Sequence, residues 1–363
     1  MLFPCPSLLE VFKVGKQQKL PVSGQNTNSQ QLQTVQKPLD FGSNQQNKQQ
    51  LPVGGQGGSS LLQMVQGQQK KGGQNGFTPD PKQKWTGKRL NQSRDFWESN
   101  YDTGDFLGQG AFGVVSKLDP KDKSNGQNDS YVAKTMPKKS AMREAKLMSR
   151  LPNHENLVNL EGYRREGTGQ ASVIMEMAER GDLEKAYALS GKMEAAREIS
   201  EEERILLVKH FIKGSMSGMQ AMHDEGWVHY DIKDENILID ENFTPQVTDF
   251  GLMNNDKKDV KPRGTTGFIA PEVEDRNVTQ GSPEARRKSD VYSMGVTLKN
   301  GIGSRDADGY DEVLEKMMAS SPKDRASFDE LLKMDFFNLD EQQDELSEAI
   351  EKLKKGQDSG KYS

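Results

Sequence analysis

Positions 228–238 read Val-His-Tyr-Asp-Ile-Lys-Asp-Glu-Asn-Ile-Leu, and positions 248–251 read Thr-Asp-Phe-Gly. Asp231 stands five residues before Asn236, and Asp249 follows a short stretch later. An amide oxygen and a carboxylate are hard ligands of the kind Mg2+ takes, and a second carboxylate beside them can orient a hydroxyl group. The chemistry that needs all three is phosphoryl transfer from ATP. That reaction requires the phosphates to be cradled, the metal held, charge neutralised and an acceptor hydroxyl positioned. A polar loop between short strands is the competing reading of this block, and it makes coincidences of the segments that precede it.

Those segments occur in the expected order. Leu107-Gly108-Gln109-Gly110-Ala111-Phe112-Gly113-Val114-Val115 is a glycine-rich run leading into a strand-like stretch, where backbone amides can approach phosphate without a Cβ in the way. Its bland reading is an ordinary glycine-rich hairpin. Tyr131-Val132-Ala133-Lys134 follows, and Lys134 on a strand can reach phosphates if an acid orients it. Glu144, inside Arg143-Glu144-Ala145-Lys146-Leu147-Met148, is the candidate acid. Read singly, these two are a surface lysine and a solvated helix charge. Asp182 after Gly181 is placed either to meet a ribose or to cap the next helix.

Downstream come Gly264-Thr265-Thr266-Gly267-Phe268-Ile269-Ala270-Pro271-Glu272 and Ser289-Asp290-Val291-Tyr292-Ser293-Met294-Gly295. With these motifs the chain resembles the eukaryotic protein kinase family from about Asp105 to Phe337. The resemblance implies an α+β fold of two lobes. A small β-rich N-lobe runs to about residue 178, and a mainly helical, shortened C-lobe follows. It implies ATP and Mg2+ as cofactors and protein Ser/Thr hydroxyls as acceptors, since Lys233 two residues after Asp231 is the Ser/Thr pattern. By position, Asp231 orients the acceptor, Lys233 touches the γ-phosphate, and Asn236 and Asp249 hold Mg2+. Lys134 pairs with Glu144, and Thr265 contacts Asp231 and Lys233. Gly108, Gly110 and Gly113 cover the phosphates, with Asp182 at the ribose. Met175 is the gatekeeper, the Glu176 carbonyl and the Ala178 amide bond adenine, and Leu107, Val115, Val132 and Leu238 sandwich it. Glu272 pairs with Arg325, and Asp290 braces the catalytic loop.

Four departures from the family pattern carry expectations of their own. Tyr230 replaces the arginine usual before the catalytic Asp, and Val132 replaces a small roof residue. Lys134 and Glu144 are only ten residues apart, which implies a helix truncated at its start. Few residues separate Gly295 from Arg325, so part of the substrate-docking helices is missing. Without the arginine, the loop before Thr265 is expected to be held by its own charges, Lys257, Lys258, Lys261 and Arg263 with Asp256 and Asp259.

The elements that must position these residues can be read from hydrophobic patterning. Strands are expected at Asp105–Lys117, Ser130–Thr135, Leu157–Arg164 and Ser172–Met177, with a helix at Ala141–Leu151 among them. After Asp182 come helices Leu183–Ala196 and Glu201–Asp224, the latter capped by Ser200. A short β pair, Asn236–Ile239 and Pro245–Val247, flanks a turn, and helix resumes at Ser289. The segment 339–363 carries an amphipathic helix, about Asp340 to Lys355, that covers the domain or binds a partner.

Composition divides the 363 residues differently. Hydrophobic residues are only 33%, and the deficit lies in residues 1–94, a Gln-, Asn- and Gly-rich arm expected to be disordered. The arm is a second candidate for partner contact; a transit peptide or the leader of a secreted effector are other readings of it. The net charge of −5 gives no reason to expect nucleic-acid binding. No run of about eighteen apolar residues is present, so no membrane span is expected. Cys5 is the single cysteine, which excludes an internal disulfide and fits a reducing, cytoplasmic compartment. Two other functions compete with a Ser/Thr kinase: a catalytically weak kinase-fold scaffold, and a small-molecule phosphotransferase. The Gly264–Glu272 segment resembles protein kinases only.

Overall fold

The β-branched and aromatic runs of the first half pair into one antiparallel sheet, the arrangement that buries such side chains best. The computed structural model describes residues 94–110, 113–122, 130–167, 169–275 and 281–362. The expectations for residues 1–93 lie outside the described residues, as do Ala111 and Phe112.

A helix, α1 (Arg94–Asn100), leads into β1 (Tyr101–Gly110), β2 (Gly113–Pro120), β3 (Tyr131–Pro137), β4 (Leu160–Arg165) and β5 (Gln170–Glu176). The sheet order is β1-β2-β3-β5-β4. Pairing lines up Gly108 with Val115, Val115 with Lys134, and Lys134 with Val173, so the lysine stands on a row that ends at the glycine-rich run. The single strand expected over Asp105–Lys117 is two strands, because the glycines turn the chain back. Gly113 has φ +146, and a Cβ there would lie 2.6 Å from the Thr135 carbonyl. On the other side of the sheet Trp97 of α1 packs with Tyr101 and Tyr131, each ring centroid 5.4 Å away.

Between β3 and β4 lies α2 (Lys138–Met148). Ala141, Glu144, Ala145 and Met148 are buried at the spacing of one helix face. The helix begins three residues before the expected Ala141 and follows β3 without a loop, since Pro137 ends the strand.

The second half is helical: α3 (Leu183–Ala195), α4 (Glu201–Asp224), α5 (Pro271–Glu274), α6 (Pro283–Ile302), α7 (Tyr310–Met318), α8 (Phe328–Leu331) and α9 (Gln343–Asp358). Short strands β6 (Trp227–Val228), β7 (Ile237–Ile239), β8 (Pro245–Val247) and β9 (Asn254–Asn255) form two small ladders, β6–β9 and β7–β8. Ser200 caps α4 in a reciprocal capping box with Glu203. Helix α6 starts at Pro283, six residues ahead of the expected Ser289, because Ser282 caps it and Pro283 suits the first turn. Only residues 303–309 join α6 to α7, which is how the lower part is shortened.

The core runs without a break from Val132 and Met175 through Leu157 and Phe250 to Phe211, Met294 and Leu298. Helix α9 lays Leu346, Ala349 and Leu353 into the surface of α3 and α4, so its apolar stripe serves to cover the domain. Among the described residues no helix is long and apolar enough to cross a membrane.

Candidate active site

The β3 register turns Lys134 inward, where only 7% of it is exposed. Its ammonium meets Glu144 Oε1 of α2 at 2.9 Å and Asp249 Oδ1 at 2.8 Å. A spacing of ten residues suffices because α2 begins directly after β3. Burial would lower the Lys134 pKa, but Glu144 and Asp249 outweigh it and hold it above its ordinary value. Burial pushes the Glu144 carboxyl up, Lys134 opposes this, and Asp249 adds to it. One cation thus serves two carboxylates.

Arg143, the neighbour of Glu144, donates to the Gly251 carbonyl and, at 3.4 Å, to that of Met253. Helix α2 therefore grips the segment that carries Asp249 directly through Arg143 and, by way of Lys134, from Glu144. Asp249 itself sits at φ +62.

The block around Asp231 is held from below by Asp290 of α6, which is fully buried. Asp290 accepts from the backbone N–H groups of His229 and Tyr230, each at 2.8 Å, and lies 2.9 Å from His223 Nε2. These bonds stabilise the left-handed backbone of Tyr230, φ +67, a conformation that costs on the order of 1 kcal/mol or more for a non-glycine residue. Asn236 Nδ2 donates to the Asp231 carbonyl at 2.8 Å and to its Oδ2 at 3.2 Å. Thr265 Oγ1 donates to Asp231 Oδ1 at 2.8 Å. Both carboxylate oxygens are thereby oriented. Gly264 permits the approach: its φ is +106, and a Cβ would stand 2.5 Å from the Tyr230 carbonyl. Among the described residues the partner of the Lys233 ammonium is Glu235, at 3.6 Å. Glu272 and Arg325 form a buried two-pronged pair at 2.7 and 2.8 Å.

On the opposite wall, Val132 pairs with Met175 across β3 and β5, and both are buried. Met177 N donates to Ser130 O, Glu176 and Ala178 are half-buried, and Leu107 is exposed. Leu238 and Asp182 face each other in a β-bridge. The Asp182 carboxylate accepts from Lys185 N at 2.9 Å, so it caps α3.

The loop before Thr265 departs from expectation. Its acids do not pair with its own lysines. Asp259 binds Arg286, and Asp256 binds Arg287, both arginines from α6. Arg286 also donates to the Asp256 carbonyl at 2.6 Å, and Arg263 lies over the Tyr230 ring at 5.8 Å. The loop's lysines are long, exposed chains free to stay in water, whereas Arg286 is buried and gains from a carboxylate. Sequence reasoning missed Arg286, Arg287 and Arg143. Only Arg143 carried a signal, its adjacency to Glu144.

The protein kinase domain family matches residues 101–304. The chain is 32% identical over 208 residues to the proline-rich receptor-like protein kinase PERK7 of Arabidopsis thaliana, a match covering 55% of this chain and 28% of that protein. It is 37% identical over 162 residues to the LEAF RUST 10 disease-resistance locus receptor-like protein kinase-like 2.4 of the same plant, covering 42% and 24%. It is 31% identical over 218 residues to the rust resistance kinase Lr10 of Triticum aestivum, covering 55% and 31%. The chain therefore spans less than a third of the length of these relatives.

Proposed function

This chain belongs to the protein kinase domain family, and from that premise we propose that it transfers the γ-phosphate of ATP to Ser and Thr hydroxyls of protein substrates. The observation that carries the reading is the double orientation of Asp231. Asn236 holds one carboxylate oxygen and Thr265 the other, beside the cluster of buried Lys134 and Glu144 with half-buried Asp249. A scaffold does not need that alignment.

The donor atoms suit Mg2+. Asn236 spends its NH2 on Asp231, which leaves its amide oxygen as a ligand atom, and Asp249 meets Lys134 through Oδ1, with Oδ2 as its second ligand atom. Among the described residues no three His, Cys, Asp or Glu side chains converge on one point. Mg2+ in phosphoryl-transfer sites is bound by one or two such groups together with phosphates and water, so a two-residue site fits. Bound there, the metal neutralises charge on the phosphate oxygens.

The chain's own residues divide the remaining work. Lys134, oriented by Glu144, provides a positive charge for the phosphates under the glycine-rich turn. Asp231 orients the acceptor hydroxyl and receives its proton, and Lys233 stands two residues on to balance charge on the transferring group. Val132, Met175 and Leu238 offer apolar walls to the base, with the Glu176 carbonyl and the Ala178 amide at its edge. Arg325 keeps Glu272 in place and with it the segment from Gly264 that brings Thr265 to Asp231.

The test is incubation of the purified chain with radiolabelled ATP, Mg2+ and a generic protein substrate, followed by phosphoamino-acid analysis. Phosphoserine and phosphothreonine are expected. No transfer, or phosphotyrosine as the main product, overturns the reading.

A further inference from the structure

Residues 177–182 lead from β5 to α3, and their backbone is stitched to β7. Arg180 N donates to Ile239 O at 3.0 Å, and Ile239 N donates to Gly181 O at 2.8 Å. Asp182 and Leu238 complete the seam. Leu238, one of the residues the kinase reading sets against adenine, is therefore part of this seam, and Ala178, another, stands two residues before Arg180 on the segment the seam holds.

Helix α9 meets this segment at the Arg180 carbonyl. Gln357 Nε2 of α9 donates to Arg180 O at 2.9 Å. The next residue, Asp358, takes Arg180 Nη1 at 2.5 Å. The same guanidinium lies over the Phe243 ring, 5.2 Å from its centroid, in the turn between β7 and β8. Arg180 is thus held by the strand, by the turn and by a helix more than 170 residues later in the chain.

Helix α9 is itself fixed. Leu346, Ala349 and Leu353 are buried, Lys352 reaches Glu203 of α4 at 2.6 Å, and beyond the helix Lys192 of α3 donates to Tyr362 O at 2.6 Å. A body anchored at several points along its length transmits its position to what it touches, where a frayed tail would not.

We infer that Gln357 and Asp358 are positioning residues for the nucleotide slot, holding the segment after β5 at the height that Ala178 and Leu238 require. The inference rests on the kinase reading above. The two contacts are unequal. The Asp358 side chain is 54% exposed, so its ion pair is screened and contributes little. The Gln357 bond is part-buried, and its loss leaves a carbonyl without its donor.

The experiment uses the full chain, with Gln357→Glu, which keeps the shape and removes the donor, and Asp358→Asn. Lys333→Ala is the control, since it removes an exposed ion pair, with Asp329, that belongs neither to α9 nor to its anchors. Each is measured for the Kd of MgADP by calorimetry, for KM(ATP), kcat and Tm. Gln357→Glu is expected to raise Kd and KM(ATP) about fivefold, the size of one lost hydrogen bond, at unchanged kcat. Asp358→Asn is expected to change them less, and Lys333→Ala not at all. A Gln357→Glu chain with wild-type Kd and KM overturns the inference, as does one in which only Tm falls. A wild-type chain that neither binds MgADP nor uses ATP is a different result: it removes the kinase reading and this inference with it.

Discussion

Arg286 Nη2 lies 2.7 Å from the carboxylate of Asp259, joining helix α6 to the loop that delivers Thr265. The pair, with Arg287 on Asp256 and Arg263 over Tyr230, ties the loop down, whereas much of the protein kinase family does so with a phosphate clamped by an arginine before the Asp of the catalytic loop. Here that position is Tyr230.

The first prediction is full activity without loop phosphorylation. Between Gly251 and Ala270 the only hydroxyl side chains are Thr265 and Thr266, and Thr265 is already bonded to Asp231. Phosphatase-treated chain, freed of phosphatase, is expected to start at its full rate. An initial rate near zero that recovers as either threonine is phosphorylated contradicts the clamp.

A second prediction concerns the buried triad. Lys134→Ala removes the cation between Glu144 and Asp249, and Asp249→Asn removes the charge proposed to hold the metal. Each is expected to lower kcat about a hundredfold or more, the scale of losing one preorganised electrostatic group. Turnover within a few-fold of wild type in both folded variants defeats these assignments.

Stability gives the third. Arg325 and Glu272 are 0% and 4% exposed at their side chains, so removing the guanidinium strands a buried carboxylate. Arg325→Ala is expected to cost about 3–5 kcal/mol in denaturant unfolding. A loss below about 1 kcal/mol, the range of an exposed pair, would mean that water reaches Glu272.

The fourth is a pH dependence at Asp234, which receives Asn300 Nδ2 at 2.8 Å. Burial raises its carboxyl from 3.8 to about 6, against the hydrogen bonds of Asn300 and Thr297. Below the unfolded value both states carry the proton and the group costs nothing. As pH rises from there through about 6, the fold must hold a buried charge and stability is lost, on the order of 2–3 kcal/mol. Asp234→Asn is expected to flatten Tm between pH 4 and 7, with its gain over wild type confined to the upper end. An unchanged slope would show that Asp234 ionises as in water.

Much of the active region was legible because its residues are close in the chain. Asp231 and Asn236 lie within one loop, and a hydrogen bond between them needs no distant partner. The β7–β8 pair and the Ser200 capping box are local for the same reason. Element ends were less legible. Patterning marks which residues are buried, while Ser282 and Pro137 decide where a helix begins.

The amino-acid sequence by itself determined the inventory: the carboxylates, amide and lysine proposed for the site, and the order in which they occur along the chain. Only the tertiary structure decided who neutralises whom. Lys134 meets Asp249 across 115 residues, Arg286 takes Asp259 from the loop's own lysines, and Gln357 reaches Arg180 from the far end of the domain. An ion pair or hydrogen bond depends on distance and burial, and neither is a property of spacing along the chain once two elements pack against each other.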